Sequence, residues 1–367
     1  MDITTGLEGS HEFTESFESD NWTYDFDEVE TFCDEEHEVD LKTFSTIFQP
    51  VFYSMILLFG VAGNGLMITV LLRRWRVLRI TEIYLLHLAL ADLMLLFTLP
   101  FEVTDITAGW VFGNFLCKVN GLLNSLSFLC GSLLLACIGF DRYLAIVHAI
   151  PSMQCRRVRT VQLICIVLWL ICFGLAIPEI AFLSVGKTYE NSSTSSCDYH
   201  DFYIHGNNWV MAKRVLHHVC FFFPLAVMCY CYTALIITLW HGQKSQTKKG
   251  AIRLALLITI VFFICCLPYN VTLLIQTLVD LKLYKYETCR DFMLLKPVLE
   301  ATKSLGILHC CLNPFLYAFV GVRFRNELIH LLCQLGCRRL CLPFLRAPGP
   351  YRPSISEGNT TVSSVLI

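Results

Sequence analysis

Apolar residues fall in seven long runs, at about 47–72, 82–106, 114–140, 160–184, 209–240, 251–279 and 292–320, with polar or charged residues concentrated between them. Apolar runs of about 18 residues or more with few charges are long enough to cross a bilayer as helices. Inside hydrocarbon every backbone N–H and C=O must be satisfied within the segment, so seven such runs predict an all-α bundle of seven membrane helices. One further pattern follows the last run. In GVRFRNELIHLLCQLGC, Phe324, Leu328, Leu331 and Leu332 fall on one helical face with basic residues on the other, which predicts a short helix lying in the membrane surface.

The segments flanking the bundle differ in kind. Residues 1–42 are acidic and poor in aliphatics, and the first forty hold 15 of the 30 Asp and Glu without one Lys or Arg. Such a segment does not fold alone. The expected organisation is an acidic N-terminal segment over 1–42, the bundle over 43–321, the surface helix over 322–341 and a Ser/Thr-rich tail over 342–367. No basic start and apolar core of a cleavable signal is visible at the N-terminus.

Composition adds orientation. Arg73, Arg74, Arg76 and Arg79 follow the first run, Arg156, Arg157 and Arg159 the third, Lys244, Lys248, Lys249 and Arg253 lie between the fifth and sixth, and Arg323, Arg325, Arg338 and Arg339 follow the seventh. Basic linkers face the cytoplasm, so the acidic N-terminus is expected outside. Of nineteen cysteines, most lie within apolar runs and read as small buried hydrophobes. Cys33, Cys117, Cys197 and Cys289 have extracellular positions, and four thiols in an oxidising compartment suggest two disulfides, in any of three pairings. Asn21 in NWT and Asn191 in NSS are extracellular glycosylation sequons, whereas Asn270 in NVT lies inside the sixth run.

Chemistry of other classes is not supported. The single buried aspartate of the second run, Asp92, has no buried aspartate facing it, and adjacent His217 and His218 point to different helix faces, so an intramembrane protease is disfavoured. No internal repeat suggests a transporter, and no phosphate-binding loop, cofactor motif or nucleic-acid motif is present.

One motif stands in each run: GNGLMITV with Asn64, LALADL with Asp92, FDRYLAIVHA with Asp141, Arg142 and Tyr143, Trp169 in the fourth, Pro224 and Tyr232 in the fifth, CCLPYN with Pro268 in the sixth, and NPFLY with Asn313, Pro314 and Tyr317 in the seventh. Together and in this order they resemble the rhodopsin-like G-protein-coupled receptors. TLP at 98–100, GWVFGNFLCK at 109–118, DRYLAIVHA at 141–149 and HCCLNPFLYAFVGVRFR at 309–325 resemble the chemokine receptors of the CXC class, most its B-cell-homing member and next its neutrophil members.

The resemblance implies a cell-surface receptor, not an enzyme, that binds a basic CXC chemokine and activates inhibitory-class heterotrimeric G proteins. A scavenging receptor that internalises ligand without G-protein coupling is the alternative. It implies disulfides Cys117–Cys197 and Cys33–Cys289. Tyr24 would be sulfated and would receive ligand with Asp25, Asp27, Glu28 and Glu30. Glu102, Asp105, Glu179, Glu300 and Lys303 would face the outer cavity. Asp141, Arg142, Tyr143, Tyr232, Pro268, Asn313, Pro314 and Tyr317 would carry activation, and Asn64, Asp92 and Asn313 would form a polar cluster able to hold a sodium ion. Cys333, Cys337 and Cys341 would carry palmitate in contact with membrane lipid. Ser354, Ser356, Thr360, Thr361, Ser363 and Ser364 would be phosphorylated by a receptor kinase and read by arrestin. The chain departs from the family pattern at Cys266, where many members have Trp, at Lys303, where an acid is common, and at Glu102, often Trp.

Overall fold

The computed structural model describes residues 44–148, 157–187, 194–199, 207–240, 246–284, 289–320 and 322–334. A π-helical turn, Phe44–Phe48, leads into α1 (Gln49–Arg73). There follow α2 (Ile80–Ala108), α3 (Gly113–Ile146), α4 (Val158–Phe182), a two-stranded antiparallel hairpin of β1 (Ser184–Lys187) and β2 (Ser195–Asp198), α5 (Asn207–Trp240), α6 (Gln246–Asp280), α7 (Cys289–Ile307), α8 (His309–Val320) and α9 (Val322–Gln334). Among the described residues six helices, α1 to α6, are long and apolar enough to cross a membrane.

Each expected run becomes a helix, and most extend beyond the apolar residues. At α2 the start moves to Ile80 because the Glu82 carboxylate accepts the Arg79 N–H (2.7 Å) and caps the first turn. The seventh run differs: it forms two helices, α7 and α8, that meet at Leu308. There the Leu308 N–H bonds to Leu305 and the Cys311 N–H to Leu308 (both 3.2 Å), the tighter spacing of a 3₁₀ turn. Pro314, lacking an N–H, leaves the Cys310 carbonyl without its helical donor. Asn64 of α1 supplies one across the bundle, Nδ2 to O at 2.8 Å. Pro224 likewise frees the Cys220 carbonyl, and the Ser132 hydroxyl of α3 donates to it (3.1 Å). Proline is thus tolerated where a neighbouring helix satisfies the freed group. α2, α4, α5 and α6 continue through Pro100, Pro178, Pro224 and Pro268.

The main core joins Leu134, Leu135 and Ile138 of α3 to Met228 and Leu235 of α5 and Ile258 and Phe262 of α6. A second cluster packs Tyr53 and Ile56 of α1 on Leu96 and Leu99 of α2. α4 buries little, and Leu163, Ile166, Leu170 and Ile177 point outward, the disposition of an apolar helix facing lipid. α9 turns Phe324 and Leu331 inward and leaves Arg325, Asn326 and Glu327 exposed, as its pattern predicts, and Arg74 at the end of α1 pairs with Glu327 (3.6 Å).

At the opposite end, the motif GWVFG closes the α2–α3 turn. Gly109 has φ +78°, a conformation that side chains rarely adopt. This turn lets the Trp110 N–H reach the Ser195 carbonyl of β2 (2.6 Å) and the indole Nε1 reach Gly113 O (2.9 Å). The buried indole packs with Phe101 and Phe112 beside Cys117 and Leu183. Cys117 forms a disulfide with Cys197, Cα–Cα 5.6 Å. Val185 opposite Cys197 fixes the register that carries β2 over the mouth of the bundle.

Candidate functional site

Below this hairpin lies a cavity of about 330 Å³, lined by residues of α2 to α8 and of β2. Its charged groups are paired across helices. Glu102 of α2 accepts Lys303 of α7 (Nζ–Oε2 3.0 Å) and Asn124 of α3 (3.2 Å). Glu179 of α4 pairs with Lys213 of α5 (2.6 Å). The Tyr199 hydroxyl, just beyond β2, donates to Glu179 and accepts from Lys213, whose ammonium also sits 4.4 Å from the Tyr199 ring centroid. Burial and the adjacent carboxylate push the Tyr199 phenol well above its usual range, so it stays protonated. With Asp198, the lining holds three carboxylates against two lysines. The His217 ring stacks on Phe128 (4.0 Å between centroids) and its Nε2 meets Asn270 Oδ1 (3.0 Å).

Of the residues expected in the cavity, Glu102, Glu179 and Lys303 line it. Glu300 instead accepts Gln49 of α1 (3.2 Å) beside Ser304, and neither it nor Asp105 belongs to the lining. Lys213, Tyr199, His217 and Asn124 were not anticipated. Lys213 carried a signal: an ionisable residue within an apolar run is a functional candidate. Tyr199 carried none, since it reaches the site only because β2 crosses the mouth.

The cavity floor meets the polar cluster. Cys266 lines the cavity and lies 3.6 Å from His309 Nδ1. Asp92 of α2 is 1% exposed and accepts Asn313 Nδ2 (2.8 Å), and its other oxygen lies 3.7 Å from His309 Nε2. Asn64 does not bond Asp92. Its amide serves the Gly60 and Cys310 carbonyls, because α8 needs a donor there. The Asn64 and Asn313 side-chain oxygens are buried without a protein partner, acceptor capacity that fits a cation. His309 and Cys310 are thus members of the cluster that the motif left out.

Toward the far end, Arg142 bonds Asp141 through Nε (3.1 Å) and Nη2. Tyr232 of α5 bonds Thr259 of α6 (3.0 Å), and Tyr143 bonds His148 (3.0 Å). The Tyr317 hydroxyl is buried without a protein partner. Pro314 packs so closely on α1 that a Cβ at Gly63 would stand 3.0 Å from it. Tyr24, Asp25, Asp27, Glu28, Glu30, Asn21, Cys33, Asn191, Cys337, Cys341 and the six tail hydroxyls lie outside the described residues, as does the Cys33–Cys289 bridge.

Six spanning helices with a seventh run divided between α7 and α8, an interhelical cavity under a disulfide-tethered hairpin, and an Asp–Arg pair at the other end define a seven-transmembrane receptor. The family profile of the 7 transmembrane receptor (rhodopsin family) matches residues 63–317, and the chain belongs to that family. Within it, the chain belongs to the C-X-C chemokine receptors. It is 40% identical to C-X-C chemokine receptor type 5 of Homo sapiens over 327 residues, 88% of this chain and 87% of that one. It is 39% identical to C-X-C chemokine receptor type 3 of Capra hircus, covering 87% and 86%, and 40% identical to C-X-C chemokine receptor type 2 of Pan troglodytes, covering 79% and 80%. The protein is therefore a multi-pass plasma-membrane receptor and not an enzyme.

Proposed function

We propose that this receptor binds a basic CXC chemokine at the hairpin end and activates inhibitory-class heterotrimeric G proteins at the Arg142 end, directing leukocyte migration, in particular that of B cells. The observation that carries the reading is a cavity whose polar groups come from α2, α3, α4, β2, α5, α6 and α7, so that one inserted segment contacts most of the bundle at once. The basic linkers put the N-terminus outside and the C-terminus inside. The acidic segment attracts the chemokine body, and sulfate on Tyr24 adds a charge able to accept paired Arg contacts. The chemokine's flexible N-terminus enters the cavity and competes for Glu102 and Glu179 with Lys303 and Lys213.

In the resting state Asp141 holds Arg142. Activation swings the inner end of α6 outward and rearranges Arg142, Tyr232 and Tyr317, a two-state equilibrium shifted by differential binding. Glycans at Asn21 and Asn191, palmitate at Cys333, Cys337 and Cys341, and phosphates on the tail read by arrestin complete the reading.

The test is nucleotide exchange on a purified inhibitory heterotrimer with the receptor in nanodiscs and a panel of CXC chemokines. At least one chemokine should accelerate exchange. Saturable binding across the panel with no exchange would favour the scavenging alternative.

A further inference from the structure

We propose that Lys213 is an intramolecular competitor seated in the receptor's own primary-ammonium site, a cage made by the Glu179 carboxylate with the hydroxyl and ring of Tyr199, and that a ligand amine must displace it to bind. This role rests on the cavity being the ligand site of the proposed function. The Lys213 ammonium lies 2.6 Å from Glu179 Oε1. It also donates to the Tyr199 hydroxyl and sits 4.4 Å from the centre of that ring. One charge, one lone pair and one π face thus meet a single small cation. A compact ammonium with few donors fits such a cage, whereas the broad, flat fork of a guanidinium asks for paired acceptors in its plane.

Residues around the cage hold it in this form. The Tyr199 hydroxyl gives its proton to Glu179 Oε2, so its lone pairs turn to the ammonium. The Tyr199 N–H bonds Asp198 Oδ1 (2.8 Å), which fixes the backbone from which the ring projects. On the α3 side Gly121 leaves the necessary space: a Cβ there would run into Leu183 and stand 3.4 Å from Glu179 Oε2. Glu179 is 4% exposed, and both of its oxygens are engaged within the cage. The carboxylate and the phenol are therefore the fixed half of the site.

Lys213 is the exchangeable half. Its side chain is 31% exposed against 5% for that of Glu179, and it reaches the cage from α5 on a flexible four-carbon stem. Losing this cation without a substitute would strand a buried carboxylate, which is costly. The exchange is thus cation for cation: a ligand ammonium enters, and Lys213 swings to the wet side of the cavity that it already lines. A tethered competitor is present at high local concentration. It lowers the apparent affinity in proportion to the fraction of time in which the cage is free. Lys213 so reserves the site for ligands whose further contacts outweigh a tethered lysine.

The first test needs no chemokine. The full-length receptor in detergent is melted with n-propylammonium chloride, a free primary ammonium, and with propyltrimethylammonium, which has the charge and no N–H. n-Propylammonium should raise the melting temperature of Lys213→Met by about 2 °C or more and leave that of the parent unchanged. Lys213→Ala should respond likewise, so that poor folding of one variant leaves the other to decide. Lys213→Met combined with Glu179→Gln should lose the rise, and propyltrimethylammonium should give none. An equal rise in parent and variants, a rise kept without the Glu179 charge, or no rise in either lysine variant overturns the proposal. So does an equal rise with the quaternary ion. The second test uses the chemokine that binds in the exchange assay, with its N-terminal amine free or acetylated. Lys213→Met should bind the free form about fivefold or more tightly than the parent does, and acetylation should erase that gain. Weaker or unchanged binding by Lys213→Met overturns the competitor role. A panel without any binding chemokine would instead sink the chemokine reading, and the propylammonium melts would decide the cage alone.

Discussion

Lys303 and Glu102 form their ion pair between α7 and α2 at the edge of the cavity, with Glu102 nearly buried and Lys303 partly wet. Removing one member of such a pair strands the other charge in a poorly solvated site. Lys303→Met should therefore destabilise the receptor by about 1–3 kcal/mol, less than for a fully buried pair because solvent screens the lysine end. Adding Glu102→Gln should restore most of the loss, as Gln keeps an acceptor for Asn124. Thermal melts of the three variants in detergent check this, and a double variant no better than Lys303→Met would show that the pair is not the source. Tyr199 offers a pH counterpart. Its folded-state pKa lies well above the ordinary tyrosine value of about 10, so its contribution is fully present below that pH and is lost only as pH rises above it. Stability measured between pH 7 and 9 should accordingly be the same slope for the parent and Tyr199→Phe.

Among the elements, α3 has two ends with separate tasks. Its first turn is fixed by the Cys117–Cys197 disulfide and its last turns carry Asp141 and Arg142. The helix runs from Gly113 to Ile146, and at about 1.5 Å per residue its two ends stand far apart. Arg142→Ala should therefore keep chemokine affinity within about threefold in the absence of G protein and lose nucleotide exchange. Radioligand binding and exchange on the same membranes check both halves, and exchange at the parent rate would remove Arg142 from the mechanism. The junction of α7 and α8 is the other element with a function of its own. The tight turn at Leu308 places His309 beneath the cavity and beside Asp92, so the cavity floor and the polar cluster share one side chain. Cys266 touches the same ring. A compact His–Cys contact thus stands at the cavity floor.

For the whole molecule the formal net charge of −2 conceals a strong asymmetry, with 15 of the 30 carboxylates and no Lys or Arg in the first forty residues. A field of that kind governs encounter more than residence. Neutralising Asp25, Asp27, Glu28 and Glu30 together should slow chemokine association at least tenfold at low salt and change dissociation much less. Surface plasmon resonance across a salt series checks this, since screening should bring parent and variant association rates together. Unequal rates at high salt with equal rates at low salt would contradict the recruiting role.

Seven apolar runs and the amphipathic face of α9 were legible in the chain, because crossing hydrocarbon imposes length and apolarity on each segment separately and lying on its surface imposes a one-sided pattern, whereas the residues alone left the partner of Cys117 open among three pairings. The same conditions hide the interior. Lipid and neighbouring helices are equally apolar, so a pattern of Leu, Ile and Phe identifies a span without saying which face turns inward. Only polar residues mark that face, and their partners are far away in sequence. The partners Glu102 with Lys303, Glu179 with Lys213 and Asn64 with the Cys310 carbonyl each depend on how helices are juxtaposed. The division at Leu308, the crossing of β2 that delivers Tyr199, and the convergence of Asp92, His309 and Cys310 were likewise decided by the tertiary structure alone. Spans follow from what each stretch of chain needs in order to leave water, whereas the site follows from which spans then become neighbours.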